Sequence, residues 1–167
     1  MYIDTHVHCR GEEQERKESI AHALRVAAAC GVDAIFDMPN TERPVFNEQR
    51  VLDRLHLAKN ADVKSVFYGT FIGITASPEQ VRLAVAAHRK LFPHLVGIKM
   101  YAGHSTGNLG VVKEEDQEMV YRVLAQEGYD GVFFVHAEKE SKMNNNIGVV
   151  FDPRNPISHC LARPWQA

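Results

Sequence analysis

Cysteine is scarce in this sequence and badly spaced for cross-linking. Cys9, Cys30 and Cys160 are odd in number and far apart, which excludes a disulfide framework and a Cys-x-x-Cys zinc knuckle. Reduced thiols and cytoplasmic residence are the expectation. No apolar run approaches the roughly 20 residues of a membrane-spanning helix. No basic segment precedes the first apolar stretch, so a secretory signal is not expected. An excess of one charge is also lacking. The formal net charge is −2, which gives no bulk attraction to nucleic acid. Neither nucleic acid nor a membrane is therefore expected as a partner. There is no low-complexity tract and no linker, so residues 1–167 read as one domain. What is present is ordinary globular composition: 167 residues, 45% of them hydrophobic, enough for a sizeable core.

Short β-rich runs alternate with longer helical patterns. Strands are predicted over Tyr2–His8, Val32–Met38, Lys64–Ile74, Val96–Tyr101 and Gly131–His136. Helices are predicted over Lys17–Cys30, Glu48–Lys59, from Ser77-Pro78 to about Leu91, and over Glu114–Gln126. Gly31 stands where a helix-terminating glycine would. Ser77-Pro78 reads as an N-cap followed by a proline in the first turn. The alternation βαβαβαβαβ predicts a parallel sheet covered by helices, in the α/β class. A doubly wound sheet and a TIM-barrel-type (β/α)8 fold both satisfy it.

The polar residues at the strand ends carry more information. His6 and His8 are two apart on a strand, so their side chains leave on one face. They stand at its C-terminal end, where a barrel builds its active site. Imidazole is a common ligand for zinc and similar metals, and Asp4-Thr5-His6-Val7-His8 reads as a metal-binding strand. Lys99 ends the fourth strand after the apolar run Leu95-Val96-Gly97-Ile98. It either faces a barrel mouth, where an unpaired ammonium is costly, or snorkels to solvent. His136 ends the fifth strand in Val135-His136-Ala137-Glu138. Arg10 could grip a carboxylate in a bidentate fork or sit solvated on the surface. Asn40 follows Pro39 just beyond the second strand, where a plain turn is the simplest role.

These pieces together resemble the amidohydrolase superfamily, and dihydroorotase most closely. The resemblance rests on His6-Val7-His8-Cys9-Arg10, Met38-Pro39-Asn40-Thr41, Ile98-Lys99-Met100-Tyr101 with the Gly103–Gly110 loop, and His136-Ala137-Glu138, in the family's order. It implies a (β/α)8 barrel with two zinc ions. His6 and His8 would hold one zinc and His136 the other, with a carboxylated Lys99 bridging them. Arg10 and Asn40 would hold the substrate carboxylate. The implied reaction is the reversible interconversion of N-carbamoyl-aspartate and dihydroorotate, a step of pyrimidine biosynthesis.

The sequence also departs from that pattern. The family uses a further histidine after the sixth strand and an aspartate after the eighth, and neither has a counterpart here. The segment Ile157–Trp165 is similar to the His-x-x-x-Arg-Pro stretch that leads into the next helix of some relatives, so His159 reads as a helix-entry residue. A complete barrel takes about 250 residues, and about five strands are visible. The expectation is a partial barrel, incomplete at its C-terminus. Such a chain is either a fragment or one whose open edges are covered in an oligomer. Two other readings remain open: a non-catalytic dihydroorotase-like assembly partner, and a hydantoinase- or allantoinase-type enzyme. A barrel phosphoesterase also opens with His-x-His, but would more naturally carry Glu at the Lys99 position. The polar stretches around Asn144-Asn145-Asn146 and Asp152–Pro156 read either as a mobile active-site loop or, the preferred expectation, as a segment left disordered for want of partner strands.

Overall fold

The computed structural model describes residues 1–144 and 152–163. Five parallel strands form one sheet: β1 (Ile3–Val7), β2 (Ala34–Asp37), β3 (Phe67–Gly73), β4 (Leu95–Tyr101) and β5 (Val132–His136). Helices follow the strands: α1 (Ile20–Ala29), α2 (Glu48–Asn60), α3 (Pro78–Leu91) and α4 (Glu114–Gln126), then the short α5 (Glu140–Asn144) and α6 (Pro156–Ala162). The spatial strand order is β1-β2-β3-β4-β5. A doubly wound sheet reverses its strand order at a switch point. None occurs here, so the chain is a segment of a (β/α)8-type barrel. The register carries Lys99 beside Phe134 and Tyr101 beside His136.

Local chemistry sets the element boundaries. Ser19, Asn47 and Ser77 cap α1, α2 and α3 by accepting from the backbone N–H groups of His22, Arg50 and Gln80. α1 starts at Ile20 rather than Lys17 because the Glu18 carbonyl accepts from Gly11 N at 2.9 Å, which keeps residues 17 and 18 in the preceding loop. Gly31 takes a left-handed φ of 74° just past the α1 C-cap, as its position predicts. β3 begins at Phe67 rather than Lys64, where pairing to Ala34 starts. Asn155 caps α6 by accepting from Ile157 N, a helix the sequence pattern does not delimit. All three cysteines are free, as expected, with Cys9 buried.

The main core lies between β3, β4, α3 and α4, with Ile72, Leu95, Ile98, Val81, Val85 and Val120 closed to solvent. Each such side chain contributes about 1.5–3 kcal/mol of burial. A second cluster packs α1 against β2 through Ile20, Leu24 and Ile35. Gly97 lets β4 approach β5: a Cβ there would lie 2.4 Å from the Val132 carbonyl. Burial falls away toward both sheet edges, and most of β1 is exposed. Among the described residues no helix is long and apolar enough to cross a membrane. Asn145, Asn146, Pro164 and Trp165, which the sequence reading included in its loop and C-terminal segments, lie outside the described residues.

Candidate metal and carboxylate site

The C-terminal ends of the strands share one open cleft of about 580 Å³, lined by His6, His8, Asn40, Tyr101, His104, Ser105, Thr106 and His136. Strand alternation sends His6 and His8 to one face, and their ring centroids are 5.3 Å apart. Both imidazoles are held below the usual histidine range. Desolvation by the surrounding protein is the main cause for each, followed by Lys99 near His6 and by Arg10 near His8. The neutral form they favour is the form that ligates a metal.

Beyond His8 the chain is pinned from below. Cys9 N donates to Asp37 Oδ1 at 2.9 Å. Asp37 is fully buried and also accepts from Tyr68 Oη at 2.7 Å and from the Arg54 guanidinium. The other Arg54 nitrogen donates to the backbone carbonyl of Arg10. One turn earlier on α2, Arg50 grips Glu12 and the Arg43 carbonyl. These bonds hold the turn in which Arg10 and Gly11 take left-handed φ values of 38° and 72°. Arg10 Nη1 then donates to the Asn40 carbonyl at 3.1 Å, joining the β1 and β2 loops. Asn40 Nδ2 donates to Ser105 Oγ at 3.4 Å, which brings in the β4 loop.

Lys99 is only 2% exposed. Among the described residues its side-chain amine makes no hydrogen bond and no ion pair. Its Nζ lies over the rings of Tyr101 and Phe134, 5.0 and 5.9 Å from their centroids. Burial lowers its pKa, toward a neutral amine. His136 is exposed at the end of β5, with Nε2 3.3 Å from Glu138 Oε2, and Glu138 is also held by Arg163. His159 lies on the exposed side of α6, outside the cleft lining.

His6, His8, Asn40 and His136 thus line one cleft, with Lys99 beneath and Arg10 joined through Asn40. Sequence reasoning missed Tyr101 and the His104–Thr106 loop as lining residues, and it missed the Asp37–Arg54–Tyr68 network. A carboxylate closing the apolar run Ala34-Ile35-Phe36-Asp37 was the available signal, together with arginines four apart at 50 and 54. Among the described residues no three His, Cys, Asp or Glu side chains converge on a metal position. The donor set fits a metal when Lys99 is counted in an anionic form beside the two imidazoles. Its burial without a counter-charge disfavours the ammonium form.

No family model matches the chain. It is 36% identical over 91 residues to the dihydroorotase of Sulfurisphaera tokodaii, covering 54% of this chain and 23% of that protein. It is 31% identical over 142 residues to the dihydroorotase of Methanosarcina mazei, covering 83% of this chain and 28% of that protein. Among solved structures, the L-hydantoinase (dihydropyrimidinase) from Arthrobacter aurescens superposes with a TM-score of 0.77 at 19% identity, over 98% of this chain and 35% of that one. Dihydroorotase from Saccharomyces cerevisiae, solved with 5-fluoroorotic acid, gives 0.59 at 22% identity, over 83% of this chain and 36% of that one. The chain spans less than a third of the length of the curated relatives it matches. With its strands in barrel order and its sequence aligned to these proteins, the chain belongs to the amidohydrolase superfamily, among the dihydroorotase-like members.

Proposed function

We propose that residues 1–167 form part of the barrel domain of a zinc-dependent cyclic amidohydrolase whose substrate pair is dihydroorotate and N-carbamoyl-aspartate, acting in pyrimidine biosynthesis in the cytoplasm. The observation that carries this reading is Lys99: an amine closed to solvent, without an acid partner, close enough to His6 to lower its pKa. A neutral amine there would attack carbon dioxide, forming an N–C bond as one C=O π bond opens onto oxygen and giving up its proton to water, and the resulting carbamate would be the missing anionic donor. His6, His8, Lys99 and His136 hold two zinc ions in this reading. Zinc bound there supplies Lewis acidity toward an amide carbonyl and the attacking water. Arg10 and Asn40 orient the ligand by its carboxylate. The cleft is open, so water reaches it freely.

The resemblance calls for two further residues, a histidine and an aspartate at later strand ends, and this sequence has no counterpart for them. The chain by itself is therefore proposed to bind metal and ligand without turnover. Association with a second copy would cover the exposed edges at β1 and β5.

Metal analysis of the purified chain together with ¹³C NMR after bicarbonate labelling tests this reading. Bound zinc and a carbamate signal, both lost in Lys99→Ala, are expected. A chain that takes up neither would sink it. A second reading, a non-catalytic assembly partner of dihydroorotase-like shape, draws support from the lack of a three-residue His, Cys, Asp or Glu cluster among the described residues. It would be favoured by a chain that binds a partner enzyme yet no zinc. A hydantoinase-type ring specificity would show as preferential binding of hydantoin over dihydroorotate.

A further inference from the structure

We propose that the Tyr101 hydroxyl is a third donor of the carboxylate subsite, beside Arg10 and Asn40. This deepens the reading above and rests on it.

Tyr101 is the last residue of β4 and is 3% exposed. Its backbone is fixed on both sides. It pairs with His136 in β5, and its carbonyl accepts from Val111 N at 2.8 Å. Its ring is fixed as well, with Lys99 Nζ 5.0 Å from its centroid and the His136 ring 6.0 Å away. Yet its hydroxyl is buried with no hydrogen-bond acceptor among the described residues. Buried hydroxyls are almost always paired, because an unpaired one forfeits its bonds to water. This one belongs to a residue lining the cleft.

Its neighbours indicate what it would pair with. The groups close enough to act on it are Arg10, the Asn40 backbone N–H and the buried Asp37. Asp37 is already occupied by Arg54, Tyr68 and Cys9 N. Arg10 has spent one N–H on the Asn40 carbonyl, and Asn40 has spent one on Ser105. The Tyr101 O–H is the donor in this corner with nothing yet bound. A phenol stays protonated at neutral pH and a carboxylate offers about four acceptor positions. An anionic oxygen placed at Arg10 and Asn40 therefore has a rigid third donor within the same corner of the cleft.

The test compares Tyr101→Phe with the unaltered full chain by isothermal titration. Two probes are used: dihydroorotate, and dihydrouracil, which has the same ring without the carboxylate. The unaltered chain should bind dihydroorotate more tightly. Tyr101→Phe should weaken dihydroorotate about tenfold and leave dihydrouracil unchanged. In ligand-free protein Tyr101→Phe should match or exceed the unaltered chain in Tm, since it removes an unpaired hydroxyl. A hydroxyl that merely braces the fold would move Tm the other way, and a lowered Tm overturns the proposal. So does equal weakening of both probes, which would assign the hydroxyl to the ring. Unchanged dihydroorotate binding in Tyr101→Phe, with binding lost in Arg10→Met, overturns Tyr101 alone and leaves the Arg10–Asn40 subsite standing. If the unaltered chain does not prefer dihydroorotate, the carboxylate reading itself fails and this proposal with it.

Discussion

Arg54 and Asp37 form an ion pair whose two side chains are both completely closed to solvent. The pair sits under the turn that carries Arg10, and Tyr68 Oη and Cys9 N complete the Asp37 carboxylate. A buried charge left alone is far costlier than one that is paired. Arg54→Met should therefore destabilise the chain by about 3–5 kcal/mol, measured by denaturant unfolding. The double variant Asp37→Leu with Arg54→Met should recover much of that loss. A single-variant cost near zero would mean that the pair does not hold the turn.

Lys99 carries the opposite sign. With no acid partner, its amine is an unfavourable group in the metal-free fold. Lys99→Met should raise the stability of the chelator-treated chain by about 1 kcal/mol or more while abolishing zinc uptake. Thermal unfolding in the presence and absence of chelator reads both. A loss of stability in the chelated state would show that Lys99 is held by something other than the metal-site chemistry.

His88 on α3 gives a pH dependence remote from the site. It is buried against Tyr129 and Phe92, and desolvation lowers its pKa below the ordinary 6.5. The backbone at Val96 and Asp130 pull the other way, and Arg89 adds to the lowering. As pH falls, the unfolded chain takes up this proton first. The stability contributed by neutral His88 is thus fully present above pH 6.5 and is lost as pH drops through the folded value. In His88→Leu the decline in unfolding free energy between pH 7 and pH 5 should be shallower. An identical slope in the variant would exclude His88 as a contributor.

Gly97 tests the close contact of β4 with β5. Gly97→Ala would place a methyl carbon 2.4 Å from the Val132 carbonyl. The strands must separate to admit it, at a cost of about 1–3 kcal/mol. Because Tyr101 and His136 are paired four strand positions further on, zinc and ligand binding should weaken alongside stability. A variant as stable as the parent would mean that the two strands are looser than their register implies.

The sequence made the strand ends legible because two simple periodicities govern them. His6 and His8 had to share a face, and Lys99 and His136 each closed an apolar run, so their convergence needed only a parallel sheet in sequential order. Ser77 was readable as a cap for a similarly local reason, since the bond it makes lies within three residues, while Ser19 and Asn47 cap their helices in the same way without having been read. What escaped was the partner chemistry. Nothing local to Arg54 says that it spans 44 residues to the Arg10 carbonyl. Nothing in Lys99-Met100-Tyr101 says whether the phenol donates to protein or stays unspent. Periodicity reports which way a side chain points, while these bonds depend on how α2 and the β4 loop settle against distant strands. The Lys17 start of α1 failed because a loop-closing bond from Gly11 N holds the Glu18 carbonyl outside the helix, and the helical periodicity does not report it.

The gradient of burial across the sheet has a dynamic consequence. Amide hydrogens in β3 and β4 lie within the closed core and should exchange only with global unfolding, while those of β1 and β5 open locally. His6 rides on one exposed edge strand with His8 just past its end, and His136 closes the other. A ligand gripped by all three would fasten the first strand to the last, so that occupancy would slow exchange along both edges at once.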